Sequence, residues 1–431
     1  MGVVLFLIDA LVDMVQGAWK ILQKLVPALG KGAGGIIEWI AGHTSDTRIE
    51  LKPIKISLVA PSGFGKTTLL STIMEEMNLS LKKTAKAKTY TLSVHPKDES
   101  DQQRLVDCQK KIHEAIIIGE EGNMIDKIIA GSGQIDTYDY EIDLATPDNK
   151  KRIVQPFCMM DIPGGWINTK NRVSTDIKAQ WENFLEHLRE SRILWIPIDA
   201  VALVEAQTAQ EKAWQAKLMD VIDIKNLAVE WAQYRTDAEE KEACICFVPV
   251  KGESYGLVEG KGGAFRNEFN KMFRIVIDSV AKVNPAIRSY FVPVNTIGCV
   301  KKVSAKWENS VVDIESKIET TNKEEERSAE PHNHNMQENG MLIEKFKITG
   351  SAIKIAGADK LLSKVYQYAY EQINNMEEQS DELVKKVSQP PLSIIKSPIL
   401  KHAMTNVKNS LQPLIDEFRS HVLKEEDLER V

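Results

Sequence analysis

The sequence has no excess of positive charge, no paired cysteines and no long unbroken apolar run, and each shortage removes a class of function. Lys and Arg number 55 against 61 Asp and Glu, a formal charge of −6. The chain therefore has no general attraction for nucleic acid or anionic lipid, and any basic surface must be local. The five cysteines (Cys108, Cys158, Cys244, Cys246 and Cys299) show neither a paired spacing nor a secretory context. Reduced core thiols in a cytoplasmic protein are the expectation. Cys244-x-Cys246 falls in an apolar run and fits one face of a buried strand better than a redox or metal pair. Val3 to Val26 stays apolar at helical spacing, but Asp9, Asp13, Gln16, Lys20 and Lys24 interrupt it, short of the ~20 apolar residues of a spanning helix. No basic segment precedes it, no small-residue cleavage site follows, and Phe6 stands where myristoylation of Gly2 needs Ser or Thr. What remains is an amphipathic helix. It docks on its own protein or in an oligomer, with membrane-surface association as the alternative.

What is present points to an α/β protein. The 431 residues, 43% hydrophobic and 27% charged, suit two or three structural units, or one large domain with appended helices. Residues 1–48 hold the amphipathic helix and a flexible joint at Gly30 to Gly35. Ile54 to Val59 alternates into a strand, a glycine loop follows, and Thr67 to Met77 has helical spacing. The polar-apolar pattern from Asp98 to Ile129 predicts an inserted helix, ending at Gly131-Ser-Gly133. Thr137 to Leu144 and Arg152 to Met160 flank the turn residues Thr146-Pro-Asp-Asn149 and predict a hairpin. Beyond it the pattern gives helix 174–190, strand 193–198, a long helix 208–235, strand 244–250, helix 264–282 and strand 289–294. Such alternation predicts a three-layer sandwich, a mostly parallel sheet with one antiparallel hairpin strand at its edge, carrying N- and C-terminal helical appendages. Residues 301–345 are expected to be a polar mobile loop, most polar from Thr320 to Gly340. His332 and His334 within it offer no fixed metal geometry. Residues 346–388 include an amphipathic helix from Asp359 that completes or caps the domain. After Gln389-Pro-Pro391, residues to Val431 are expected to be helical.

The chemistry concentrates in Ala60-Pro-Ser-Gly-Phe-Gly-Lys-Thr-Thr68, which has the form G-x-x-x-x-G-K-[ST] with Ala60 at the first glycine position. Between a strand and a helix, such a loop turns backbone N–H groups around phosphates and adds the positive end of the helix dipole. Ser62, Gly63, Phe64, Gly65, Lys66, Thr67 and Thr68 form this cradle, with Lys66 reaching the β- and γ-phosphates and Thr67 ligating Mg²⁺. Asp161-Ile-Pro-Gly164 ends the second hairpin strand. An acid there can hold Mg²⁺ through water, and Gly164 can offer its N–H to the γ-phosphate. A plain Asp-x-Pro-Gly turn is the alternative.

Together these two motifs resemble the translation-factor (TRAFAC) class of P-loop GTPases, over about residues 50–300. The resemblance implies that Thr137, 24 residues before Asp161, is the switch threonine that closes on Mg²⁺ and the γ-phosphate, with Ser132 and Thr146 as rivals. It implies that Lys251 and Glu253 read the base, Glu253 standing in place of the family's aspartate, and that Asn295-Thr296 begins the last base-contact loop. The expected ligands are Mg²⁺ and GTP or GDP, with ATP or ADP as the alternative. The long insertion and the 320–340 segment look closer to bacterial double-GTPase and conflict-system GTPases than to Ras-like members. Where Ras-like members carry a water-orienting glutamine, this chain has Gly165 and Trp166. The missing group is expected from the inserted segment or from a second molecule, through an arginine such as Arg172, with slow intrinsic turnover that rises on assembly. Protein partners or self-association through the terminal helices, and a nucleotide-binding scaffold with little turnover, complete the expectations. The chain shows no internal repeat and no second phosphate loop.

Overall fold

Strand propensity and burial place the central elements. In the computed structural model, the described residues are 47–84, 91–98, 103–118, 124–125, 135–145, 151–172, 174–235, 243–310, 339–387, 416 and 428–431. Thr47–Glu50 forms β1 and Ile54–Leu58 forms β2, whose Ile54, Ile56 and Leu58 are buried. Next come α1 (Lys66–Thr84), β3 (Thr91–Pro96), α2 (Gln103–Ile118), β4 (Met124–Ile125), β5 (Asp136–Ala145) and β6 (Lys151–Asp161). Then α3 (Thr175–Glu190), β7 (Ile193–Asp199), α4 (Ala200–Val204), α5 (Ala209–Met219) and α6 (Val221–Gln233) lead to β8 (Cys244–Val250). The rest is α7 (Gly263–Val283), β9 (Arg288–Phe291), β10 (Val300–Ser310), β11 (Asn339–Ile348), α8 (Ala358–Val387) and β12 (Glu429–Arg430). Local chemistry starts the helices: Ser174 accepts from Ile177 N to cap α3, and Thr208 with Glu211 closes a capping box on α5.

The main sheet runs β12-β9-β8-β7-β2-β6-β5-β3, with β1 also paired to β6. β2 is parallel to β6 on one side and to β7 on the other, and β8 and β9 continue the parallel series. Helices cover both faces. On one, Leu69, Leu70 and Ile73 of α1 and Leu361, Leu362 and Val365 of α8 pack on the sheet. On the other, α3, α6 and α7 supply Phe184, Trp231 and the Phe265–Phe269–Phe273 ladder, which meets Phe247 and Phe291 of the sheet. Each such phenylalanine is worth about 3 to 5 kcal/mol against alanine. The protein is thus a mixed α/β fold on a mostly parallel sheet. Among the described residues no helix is long and apolar enough to cross a membrane.

Several expectations change. The hairpin β5–β6 forms, but β5 is not the edge, because β3 pairs antiparallel outside it; β12 is also antiparallel, on β9. The single helix expected over 208–235 is two, broken at Asp220, which takes a left-handed φ of 48°. Residues 301–310 and 339–345, expected in a mobile loop, are strands of a second, antiparallel sheet of order β10-β11-β4. Glu429–Arg430, expected to be helical, form β12 instead, and residues 388–415 and 417–427 lie outside the described residues. Residues 3–26, the glycine joint, Gly131 to Gly133, Thr146 to Asn149, His332, His334 and Gln389 to Pro391 lie outside the described residues.

Candidate functional site

The glycine loop lies across the end of the sheet between β2 and α1. Gly63 and Gly65 take left-handed φ values of 84° and 73°, which a residue with a Cβ adopts only at a cost. Phe64 between them is buried in the core under α3 and α7, so its side chain anchors the loop and only its backbone faces outward chemistry. Ser62 is exposed at the mouth. Lys66 opens α1 and turns its Nζ back to donate to Ala60 O at 2.9 Å and Pro61 O at 3.4 Å. Thr67 is buried beside it, and Thr68 O accepts from Thr72 Oγ1 at 2.8 Å.

Pairing of β2 with β6 carries Asp161 to the same place. Leu58 and Asp161 are in register, and Asp161 Oδ1 stands 3.9 Å from Lys66 Nζ. Asp161 is fully buried, and neither of its oxygens accepts a hydrogen bond. Burial pushes the Lys66 ammonium down and the Asp161 carboxyl up, each opposed by the other's charge. Tyr138, whose buried hydroxyl also has no hydrogen-bond partner, feels the same carboxylate. Buried oxygens left unsatisfied are costly, and this set suits a hard cation that takes one carboxylate, a threonine hydroxyl and phosphate oxygens. Asp161 and Thr67 are the residues that would hold Mg²⁺.

Gly164 sits directly on the loop. A Cβ there would fall 2.1 Å from Ser62 N and 2.2 Å from Pro61 C. It begins a 3-10 turn, Gly164–Ile167, whose carbonyls are held by side chains: Arg172 Nε donates to Trp166 O at 2.5 Å, Arg172 Nη2 to Ile167 O at 2.6 Å, and Asn171 Nδ2 to Gly165 O at 2.7 Å. The Arg172 guanidinium also stacks 3.4 Å from the centre of the Trp181 ring. Arg172 is therefore committed within its own chain and is not presented to a second molecule.

Thr137 is not brought to this site. It pairs with Met160 inside the β5–β6 ladder, and because side chains alternate along a strand it lies on the face opposite Asp161. Its rivals Ser132 and Thr146 lie outside the described residues. Asp136 and Tyr138 are the β5 residues on the Asp161 face nearest to it, and Asp136 is in register with Asp161 and ion-paired to Arg104 of α2.

At the other end of the loop the base-reading candidates gather, with different partners. Val250 Cγ2 would be 3.6 Å from a Cβ on Gly65, so the end of β8 adjoins the phosphate loop. Lys251, at a left-handed φ of 57°, pairs with Asp199 and, at 2.6 Å, with Glu344 of β11. Desolvation works to lower its pKa, but the two carboxylates together leave it above its ordinary value. Glu253 accepts from Ile297 N and Gly298 N, both at 3.3 Å, so it holds the backbone of the loop that Asn295-Thr296 begins. Thr296 O in turn accepts from Thr72 Oγ1 of α1 at 3.1 Å. Lys251, Glu253, Asn295 and Thr296 thus share one corner beside the phosphate loop.

No protein-family model and no curated protein matches the chain. Among solved structures, the GTPase-like domain of Saccharomyces cerevisiae Ski7 bound to GTP is similar at 14% identity with a TM-score of 0.32, over 60% of this chain and 44% of that one. The same domain bound to GDP and inorganic phosphate gives 13% identity and a TM-score of 0.26, over 61% and 45%. The chain spans less than half the length of either.

Proposed function

We propose that the chain is a Mg²⁺-dependent nucleoside-triphosphate hydrolase of the TRAFAC class that binds GTP and acts as a switch. The observation that carries the reading is the buried Lys66–Asp161 pair at the mouth of a left-handed glycine loop, with both Asp161 oxygens unsatisfied and Gly164 packed on Ser62. In this reading the backbone from Ser62 to Thr68 cradles the phosphates and Lys66 turns from Ala60 O to the β- and γ-phosphates. Gly164 follows the γ-phosphate, moving the 3-10 turn and Trp166 with it. Bound Mg²⁺, held by Thr67 and Asp161, supplies charge neutralisation at the phosphate oxygens. Gly165 has no side chain to orient water, so intrinsic turnover is slow. Assembly, through the terminal segments or a membrane surface, accelerates it.

Calorimetric titration of GTP and ATP into the full chain and Lys66→Ala, with Mg²⁺ and with chelator, tests the reading. GTP should bind more tightly than ATP, with Mg²⁺ strengthening binding and Lys66→Ala losing at least tenfold in affinity. Undiminished binding by Lys66→Ala would overturn the site. An ATP-hydrolysing protein of the same loop architecture is the second reading, favoured by Glu253 being engaged with the amides of Ile297 and Gly298. Equal affinity for the two nucleotides would select it.

A further inference from the structure

We propose that the outward face of the β10–β11 ribbon is a docking surface for an anionic lipid bilayer; this goes beyond the nucleotide reading and does not depend on it. Side chains alternate between the two faces of a strand, and the register of the pair sorts them. Inward go Lys302 to Glu205, Glu344 to Lys251, and the buried Val300, Trp307 and Ile348. Outward go the directly opposed Lys301 and Lys347, then Lys345 across from Ser304, then Lys306 across from Ile343. All four lysines are exposed. Lys306 pairs at 3.1 Å with Glu308, the single acid that the register places on this face. Among the described residues Lys301, Lys345 and Lys347 have no ion-pair or hydrogen-bond partner. In a chain of net charge −6, this is a local concentration of positive charge.

The arrangement does not serve the fold. Like charges directly opposed across a ladder repel, and Lys301 and Lys347 stand so, with Lys345 two residues along. Placements that break a local rule concentrate at functional sites. Lysines do guard exposed edge strands, and β10 is an edge. Lys347 is not on one, being paired to Lys301 on one side and to Met124 of β4 on the other.

Apolar side chains accompany the charge. Met341, on this face, and Val303, the extra residue of the bulge between Lys302 and Ser304, are 52% and 51% exposed. Lysines over anionic headgroups, with apolar side chains entering the headgroup boundary, are the chemistry of a membrane surface. Nucleic acid fits less well, since single strands stack on aromatic rings, and the ribbon's Trp307 and Phe346 pack inward. Docking here sets the Lys251 corner directly behind the lipid contact, because Glu344 and Lys345 are adjacent on β11.

The test is co-sedimentation of the full chain with vesicles of phosphatidylcholine, alone or with phosphatidylserine, at low and physiological salt. Three variants are compared: a triple glutamine variant (Lys301→Gln, Lys345→Gln and Lys347→Gln), the corresponding triple arginine variant, and Met341→Asp. Wild type should prefer the anionic vesicles and release them as salt rises. One lysine near an anionic surface is worth about fivefold in partition. The glutamine variant should therefore bind about 100-fold more weakly, and the arginine variant within about threefold of wild type. Met341→Asp should bind about fivefold or more weakly, and no variant should melt below wild type. Undiminished binding by the glutamine variant would move the contact elsewhere, residues 3–26 included, and overturn the inference. Equal binding to neutral vesicles, or none to either kind, overturns it too. Lysine-dependent affinity for duplex RNA or DNA without vesicle binding would assign the face to nucleic acid instead. The connection 311–338, with eight acidic side chains against three of Lys and Arg, is the rival occupant. Vesicle binding that appears only after its replacement by a Gly-Ser linker of equal length would show the face to be filled within the chain, and so overturn lipid docking.

Discussion

Gly164 and Gly165 are neighbours with opposite tolerance for a methyl group. A Cβ on Gly164 meets Ser62 N at 2.1 Å and Pro61 C at 2.2 Å, backbone atoms that cannot swing away as the end of a side chain would. A Cβ on Gly165 meets nothing nearer than Asn171 Nδ2 at 3.8 Å. Gly164→Ala should therefore lower stability by roughly 1 to 3 kcal/mol in urea unfolding and weaken GTP binding by displacing the phosphate loop. Gly165→Ala should stay within about 0.5 kcal/mol. Equal effects would mean that Gly164 does not pack on the loop. At this scale the sequence is legible where chemistry demands a fixed spacing, as for Lys66 after Gly63 and Gly65. It is opaque where one residue of parity decides: Thr137 and Asp136 are adjacent, yet only Asp136 shares a face with Asp161. Phe64 illustrates a third case, a motif position whose side chain serves the core instead of the ligand.

Elements far apart in sequence meet at Lys251, and one of them gives the corner a pH response. Glu344 comes from β11, in the second sheet, and its carboxyl is raised from 4.5 to about 7 by burial and the Asp199 charge, against the opposing pull of Lys251. A folded-state pKa above the unfolded one means that the native chain holds the proton more tightly. The associated stability is complete below about pH 4.5 and is lost as pH rises through about 7. Glu344→Gln mimics the protonated form and should remove this dependence. The variant should match wild type near pH 5 and exceed it near pH 8 by on the order of 1 to 3 kcal/mol, read from urea midpoints; parallel profiles would show that Glu344 does not titrate in this range. The partnership was not legible, because β10 and β11 carry lysines and polar residues throughout and are separated by residues 311–338. Composition favoured a loop there. Cross-strand pairing, which no local pattern records, made a sheet.

Across the whole molecule, the sheet order decides what the site contains. Strand alternation predicted a mostly parallel sheet, and that is what formed, but only the pairing of β2 with β6 brings Asp161 to Lys66, and only the pairing of β5 with β6 adds Asp136 and, through it, Arg104. The inserted segment is tied in twice, through α2 on α1 and through β4, whose Met124 and Ile125 pair with Lys347 and Phe346 of β11. β11 in turn sends Glu344 to Lys251, and β10 joins the same corner where Lys302 N donates to Ser254 Oγ at 2.6 Å. The glycine loop, the Lys251 corner and the second sheet are consequently linked by packed elements, and a ligand that orders one should slow opening of the others. Hydrogen exchange with and without GTP and Mg²⁺ measures this. At 100 times the dissociation constant the ligand adds about 2.7 kcal/mol to global stability, so amides that exchange only by global unfolding should slow about 100-fold. Protection beyond the contact residues should extend into β10 and β11, and Glu344→Gln should reduce it there while leaving it intact in α1. Protection confined to Ser62 to Thr68 would show that the second sheet is a passive attachment with no share in the nucleotide response.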